Sequence, residues 1–194
     1  MGKITIKIEG GIGNIKYKID KKMCQEEFEN VLNKFSNNIF DFDVNCADFK
    51  KITLIPNIPF LKILYCRRCT NLKQISNIET FTLISCENCK KLEYIPEFKN
   101  LEILNCRGCV KIISLPNLEN LTNLYYDKNN IKEENIGYLP KIMNVNYQAA
   151  SPEFKQRNEY YHKLRLVKSA LNNLLKKQNA CGFTDDLIRL LQNY

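Results

Sequence analysis

Tryptophan is absent and histidine occurs once, at His162. No Cys/His or Ser/His couple is available except through His162, which lies beside Tyr160 and Tyr161 in no recognisable motif. Glycine is scarce, at seven residues, which argues against glycine-rich phosphate loops. No run of eighteen apolar residues occurs, so a membrane-spanning helix is not expected. Met1 is followed by Gly2, Lys3 and an alternating segment, not by a long apolar stretch with a small-residue cleavage site. A secretory leader is therefore not expected either. The acidic pairs Glu133-Glu134 and Asp185-Asp186 are chain neighbours and do not face each other for acid–base work. Neither an enzymatic activity nor a cofactor is expected.

What is present can bury a core. The 194 residues are 44% hydrophobic, unlike a disordered chain. Lys, Asn and Ile number 23, 25 and 22, while Ala numbers five, the bias that drift toward A and T codons produces. The net charge is +8, and residues 151–194 hold eight basic against four acidic side chains, half of the excess. A basic tail suits nucleic acid, anionic lipid or an acidic protein, although a solvated helix face is the commoner reason for one.

A repeat dominates the middle of the chain. Cys66-Arg-Arg-Cys69, Cys86-Glu-Asn-Cys89 and Cys106-Arg-Gly-Cys109 recur every twenty residues. Leu61, Phe81, Leu101 and Leu121 keep the same step, as do Leu64, Ile84, Leu104 and Leu124. So do Leu72, Leu92 and Ile112, and Ile75, Ile95 and Leu115. Backward, Val44, Cys46, Phe49, Ile52, Ile55 and Ile58 fall on this frame. Forward, Lys132 stands where an apolar residue is due, Ile131 comes one place early, and a one-residue insertion then gives Ile142, Val145 and Tyr147. The frame holds about six turns, the last two imperfect. In each, Leu-x-Cys alternation makes a short strand with Leu and Cys on one face. Leu72, Ile75 and Ile78 return the chain past turn formers such as Asn57, Pro59, Pro96 and Pro116. One coil cannot bury its own apolar side, but stacked coils share a core.

These residues resemble the leucine-rich repeat, L-x-x-L-x-L-x-x-N/C-x-L, in a short cysteine-bearing version. Tails such as Leu72-Lys-Gln-Ile75 and Leu92-Glu-Tyr-Ile95-Pro96 are similar to those of plant immune-receptor and bacterial effector repeats. The resemblance covers about 110 residues. It implies an α/β solenoid with a parallel β-sheet on its concave face. The codon-biased composition resembles that of repeat proteins from AT-rich amoebae or the giant DNA viruses that infect them. Effectors with such repeats can carry a ubiquitin-ligase domain with a nucleophilic Cys. Here the segment around Cys181 is too short for one, and Cys181 reads as a helix-end packing residue.

The nine cysteines admit three readings. Taken alone, Cys66, Cys69, Cys86 and Cys89 match the spacing of a four-thiolate zinc site. Yet their period is shared by leucines that no metal needs, and Phe49, Tyr126 and Asn129 stand in the same columns. A column that accepts Phe, Tyr and Asn is a packing ladder, and free Cys behaves as a small buried hydrophobe. A disulfide framework is disfavoured by the odd count and the missing leader. A reducing cytoplasm is the consistent compartment.

The flanks differ from the repeats. Lys3–Ile8 and Ile15–Ile19 alternate with period two around Gly10, Gly11 and Gly13, a β-hairpin. Asp20 is expected to start a helix with the stripe Cys24, Phe28, Val31, Leu32, Phe35 and Ile39. Residues 1–39 thus read as a ββα cap, 40–149 as the repeats and 150–194 as a C-terminal helical cap. In the last, Ser151 and Pro152 open a helix with the stripe Tyr160, Leu164, Val167, Leu171, Leu174 and Leu175. Gly182 breaks it, and Thr184 starts a second helix with Leu187, Ile188, Leu190 and Leu191. A partner-binding or membrane-surface role for the first helix competes with capping, helped by Arg165, Lys168, Lys176 and Lys177.

The sheet face opposite the core is the expected site. It presents Lys62, Ile63, Tyr65, Arg67, Arg68, Leu83, Glu87, Asn88, Ile103, Asn105, Arg107 and Tyr125. Ile63, Leu83 and Ile103 should form an apolar row, with tyrosine and arginine beside it, the types that anchor interfaces. The expected function is a non-enzymatic protein-interaction module gripping an unidentified partner, with self-association available through the hairpin's free edge. The alternatives are a basic nucleic-acid-associated protein and a zinc-binding repeat protein. The first is disfavoured because the tail interleaves few aromatics with its lysines.

Overall fold

A twenty-residue step stacks like residue on like, and the Leu-x-Cys alternation sends every second side chain inward. The computed structural model describes residues 2–7, 14–36, 42–146 and 148–179. At its centre is a parallel-sheet β-solenoid of about five turns, fewer than the six read from the sequence, followed by one long helix.

The elements in chain order are β1 (Gly2–Lys7), β2 (Asn14–Ile19), α1 (Gln25–Ser36), β3 (Phe42–Asn45), β4 (Leu54–Ile55) and β5 (Leu61–Tyr65). Then come β6 (Gln74–Ile75), β7 (Leu83–Ser85), β8 (Ile103–Asn105), β9 (Asn123–Tyr125), β10 (Asn144–Val145), β11 (Gln148–Ala149) and α2 (Pro152–Asn179). One nine-stranded sheet runs β11-β10-β9-β8-β7-β5-β3-β1-β2. From β3 to β10 neighbouring strands are parallel, with Leu64 opposite Ile84, Ile84 opposite Leu104, and Leu104 opposite Leu124. At one end β1 adds antiparallel to β3 and is followed by β2; at the other, β11 folds back on β10. On the return side β4 and β6 pair in parallel.

The repeat columns are the core. Leu61, Leu64, Cys66, Cys69, Leu72, Ile75 and Ile78 are buried, as are their counterparts in the next two turns. Phe81 and Phe98 meet edge to face at 5.4 Å. The irregular turn keeps its core by small shifts. Ile131 is buried while Lys132 is exposed, and a short 3-10 helix at Glu133–Asn135 takes up the extra residue. Ile136, Leu139 and Ile142 then resume the buried pattern. Asparagines tie turn to turn: Asn71 donates to the Lys50 carbonyl (2.6 Å), Asn100 to that of Glu79 (2.8 Å) and Asn120 to that of Lys99 (2.8 Å).

Two helix expectations need correction. α1 begins at Gln25, not at Asp20, because the Asp20 carboxylate accepts the Lys22 N–H in a local turn. Cys24 takes the starting position, where its N–H donates to Glu27 Oε2 at 2.7 Å. Cys24 is therefore exposed and not part of the stripe, whereas Phe28 and Leu32 are fully buried and Phe28 packs on Phe49. The side chains of Phe35 and Ile39 lie outside the described residues, as do the glycine turn, Cys181, Gly182 and the second C-terminal helix.

α2 opens as expected, with the Phe154 N–H donating to Ser151 Oγ at 3.1 Å. Its buried side, however, is not the apolar stripe. Phe154 and Asn158 are buried, while Tyr160 and Val167 are 59% and 54% exposed. The polar Asn158 wins the buried place because it completes the last turn. Its Oδ1 accepts the Leu139 N–H (3.0 Å) and its Nδ2 donates to the Gly137 carbonyl (2.8 Å). No helix among the described residues is long and apolar enough to cross a membrane.

Replacing Asn158 with Leu strands a buried N–H and a buried carbonyl, each worth ~1–3 kcal/mol. Asn158→Leu should lower the unfolding free energy by about 2–5 kcal/mol in urea titration. A loss under about 0.5 kcal/mol would refute the docking role of this amide.

Candidate functional site

The register of the parallel sheet arranges the expected site residues in rows. Ile63 lies opposite Leu83, and Leu83 opposite Ile103. The apolar row is three strands wide, about 10 Å at the usual strand spacing. Asp43 bounds it at one end and Asn123 at the other, where Asn144 Nδ2 donates to Asn123 Oδ1 at 2.6 Å. The next row reads Tyr65, Ser85, Asn105 and Tyr125. Two tyrosines three strands apart thus bracket two small polar residues, and Ser85 is buried between them. All three residues of the apolar row are half-buried, and Tyr65 is exposed.

Arg67 and Arg68, expected to anchor a partner, pair with carboxylates of neighbouring turns. Arg67 Nη2 is 2.6 Å from Glu87 Oε2 in the next turn. Arg68 is bidentate on Asp48 in the preceding turn, at 2.7 and 3.0 Å, and Lys21 reaches the same carboxylate at 3.3 Å. Along this edge Ala47, Arg67, Glu87, Arg107 and Asp127 follow at twenty-residue steps, so from Arg67 onward charges of opposite sign alternate from turn to turn. Sequence reasoning missed Asp48. The available signal was its position in the Arg68 column, one turn earlier.

The same column shows why the loop after each strand has its shape. Asp48, Arg68, Asn88 and Gly108 all have positive φ, between 57° and 72°. The left-handed residue turns its N–H toward the following turn. The Asp48 N–H donates to the Arg67 carbonyl (2.8 Å), that of Arg68 to Glu87 (2.8 Å) and that of Asn88 to Arg107 (2.7 Å). At Gly108 the acceptor is Asp127 Oδ2 (2.6 Å), and a Cβ there would collide with the Asn88 side chain. Asn88 is thus held by its backbone, and Asn105 accepts the Arg107 N–H at 3.3 Å. Lys62 is half-buried, and its carbonyl accepts the Thr82 N–H at 2.9 Å.

The cysteines form an internal ladder. Cys69 Sγ donates to the Cys46 carbonyl (3.0 Å), Cys89 to that of Cys66 (2.9 Å) and Cys109 to that of Cys86 (3.0 Å). The eight described cysteines are unpaired, and all but Cys24 are buried. A hydrogen bond from the neighbouring thiol, and then burial, push the Cys46, Cys66 and Cys86 thiols up; burial does the same for Cys106. Among the described residues no three of His, Cys, Asp or Glu are grouped to hold a metal ion. Tyr126 fills the place of the first cysteine in its turn, and burial pushes its hydroxyl up to about 12. His162 is stacked on Tyr138 with ring centroids 3.8 Å apart.

No family model, curated protein or solved structure matches this chain. The reading of the site therefore rests on its own geometry.

Two measurements check this geometry. The Arg68 guanidinium, and more weakly Lys21, hold the Asp48 carboxyl well below the usual carboxylate range. The stabilisation it gives is complete above the unfolded value near 3.8 and is lost as pH falls toward the folded one. In Arg68→Leu the Asp48 carboxyl resonance should titrate at higher pH, toward the ordinary range; an unmoved titration would refute the pairing. For the ladder, a thiol reagent under native conditions should modify Cys24 and leave Cys46, Cys66, Cys69, Cys86, Cys89, Cys106 and Cys109 intact until the chain unfolds. Protein purified without added metal should carry near-zero zinc. One zinc per chain would require the ladder to be redrawn as a metal site.

Proposed function

We propose that the chain is a leucine-rich-repeat-like interaction module, without catalytic activity, that binds a partner protein on the concave sheet face. The observation that carries this reading is the registered apolar row Ile63, Leu83 and Ile103 lying beside the tyrosine-bracketed row from Tyr65 to Tyr125. A protein surface rewards that combination, because aromatic and aliphatic side chains on a rigid sheet bind with little ordering cost. Repeat architectures place such rows on a continuous face that lengthens with each turn. The ββα segment and α2 act as caps on the open ends of the core. The eight described cysteines, all unpaired, suit a reducing, cytoplasmic setting.

The nucleic-acid reading finds less support. Of the groups it would use, the C-terminal helices and the arginine cluster, Arg67 and Arg68 already have carboxylate partners, and an apolar row gives nothing to a phosphate backbone. The edge strand β2 keeps self-association open as a secondary role.

A photo-reactive residue at Leu83 should crosslink one specific protein in an extract of the source cells. The same probe at Ser114, outside the sheet face, should not. Tyr65→Ala should weaken the crosslink about tenfold while leaving the circular dichroism unchanged. Equal crosslinking from Ser114, or none from Leu83, would reject the concave face as the site.

A further inference from the structure

We propose that α2 carries a second, independent binding face, a cationic amphipathic stripe that docks on an anionic lipid surface. The helix presents two different sides. One is committed to the solenoid: Phe154 and Asn158 are buried, His162 stacks on Tyr138, and Arg157 pairs with Glu133 at 3.1 Å. Arg165 also lies on this side, where its Nη1 donates to the Glu134 carbonyl at 3.4 Å. The other side holds Tyr160, Leu164, Val167 and Leu171, at i, i+4, i+7 and i+11. At 100° per residue the two sides are centred about 130° apart, so docking on the solenoid leaves the stripe accessible. Tyr160 and Val167 are more than half exposed, and Leu164 and Leu171 are half-buried between them.

Charge says what covers the stripe. Lys163 and Lys168 border it, one on each flank, and both are exposed. Among the described residues, Lys163 pairs with Glu159 at 2.8 Å on the helix surface and no ion pair is seen at Lys168. From Tyr160 to Asn179 the sequence contains Lys163, Arg165, Lys168, Lys176 and Lys177 and no Asp or Glu. A second copy of the chain would bring like-charged lysines together along the seam. A nucleic acid would reward the lysines but not Val167, Leu164 or Leu171. The interface of an anionic bilayer rewards both. The apolar stripe and the lysine stems enter the headgroup and acyl boundary, while the ammonium groups stay level with the phosphates.

The test is co-sedimentation of the full chain with vesicles of phosphatidylcholine containing about one third phosphatidylserine, beside pure phosphatidylcholine vesicles. Binding to the anionic vesicles should fall about fivefold for Lys168→Gln and at least about tenfold for Val167→Glu, and should weaken with added salt. Both positions are exposed, so circular dichroism should confirm an intact fold. Three results would overturn the proposal: no binding to anionic vesicles, equal binding to neutral ones, or anionic binding that Val167→Glu leaves undiminished. A dimer that dissociates in Val167→Glu without any vesicle binding would give the stripe to a second copy and also overturn it. Since Val167 lies outside the concave face, failure here leaves the crosslinking result at Leu83 untouched.

Discussion

Each turn of this solenoid is completed by hydrogen bonds it cannot make alone. The backbone after β3, β5, β7 and β8 donates to the next turn, and the thiols of Cys69, Cys89 and Cys109 donate to carbonyls of the preceding turn. A polar backbone group left unpaired in a core costs more than the bond that pairs it contributes. The thiol is well suited to this place. It is small, it packs as a hydrophobe, and it carries one weak donor for the second lone pair of a carbonyl that already accepts an N–H within its own turn. Asn71, Asn100 and Asn120 do the corresponding work on the loops. Asparagine that reads as codon drift in the composition is, at these positions, part of the scaffold.

The same stacking decides what the outward sheet face can offer. Side chains one period apart are held about 4.8 Å apart by the sheet, so each column must tolerate its own neighbours. Ile63, Leu83 and Ile103 do so by contact. Charged columns do so by alternating sign, as in Arg67 and Glu87 or Asp48 and Arg68. An arginine in such a column is satisfied before any partner arrives. Its value to a partner is then the exposed flank of a paired guanidinium, which orients more than it attracts. The apolar row and the tyrosines are left as the part of the face with the most to gain from being covered.

The repeats were legible because their period is written in the residues that do the packing. Leu64, Ile84, Leu104 and Leu124 announce both their burial and their register. Where the period slips, the sequence still showed the break at Lys132, and the chain absorbs it with Ile131 and a short 3-10 helix. The flanks were less legible, for two physical reasons. At Asp20 two local structures compete for one side chain, and the tight turn to Lys22 wins over the helix start. In α2 the buried side is chosen by hydrogen-bond demand at Gly137 and Leu139, which no hydrophobic pattern encodes. The pairing of Arg68 with Asp48 was hidden for a third reason, since partners twenty residues apart look unrelated until the coil closes.

α2 brings these themes together. Hydrophobic periodicity normally tells which side of a helix is buried, because no other force on a surface helix is as large. Here the last turn of the solenoid presents an unpaired N–H and carbonyl, and a single Asn meets both where Leu or Val can meet neither. Satisfying the backbone rotates the helix so that its most regular apolar stripe faces away from the solenoid. Tyr160 and Val167, more than half exposed on that stripe, are a standing cost in water unless something covers them. A helix that served only to close the core would need one contact side, and Phe154 and Asn158 already supply it. The second stripe, set between lysines on a segment without acids, makes α2 a helix with two contacts to satisfy. The solenoid satisfies one of them.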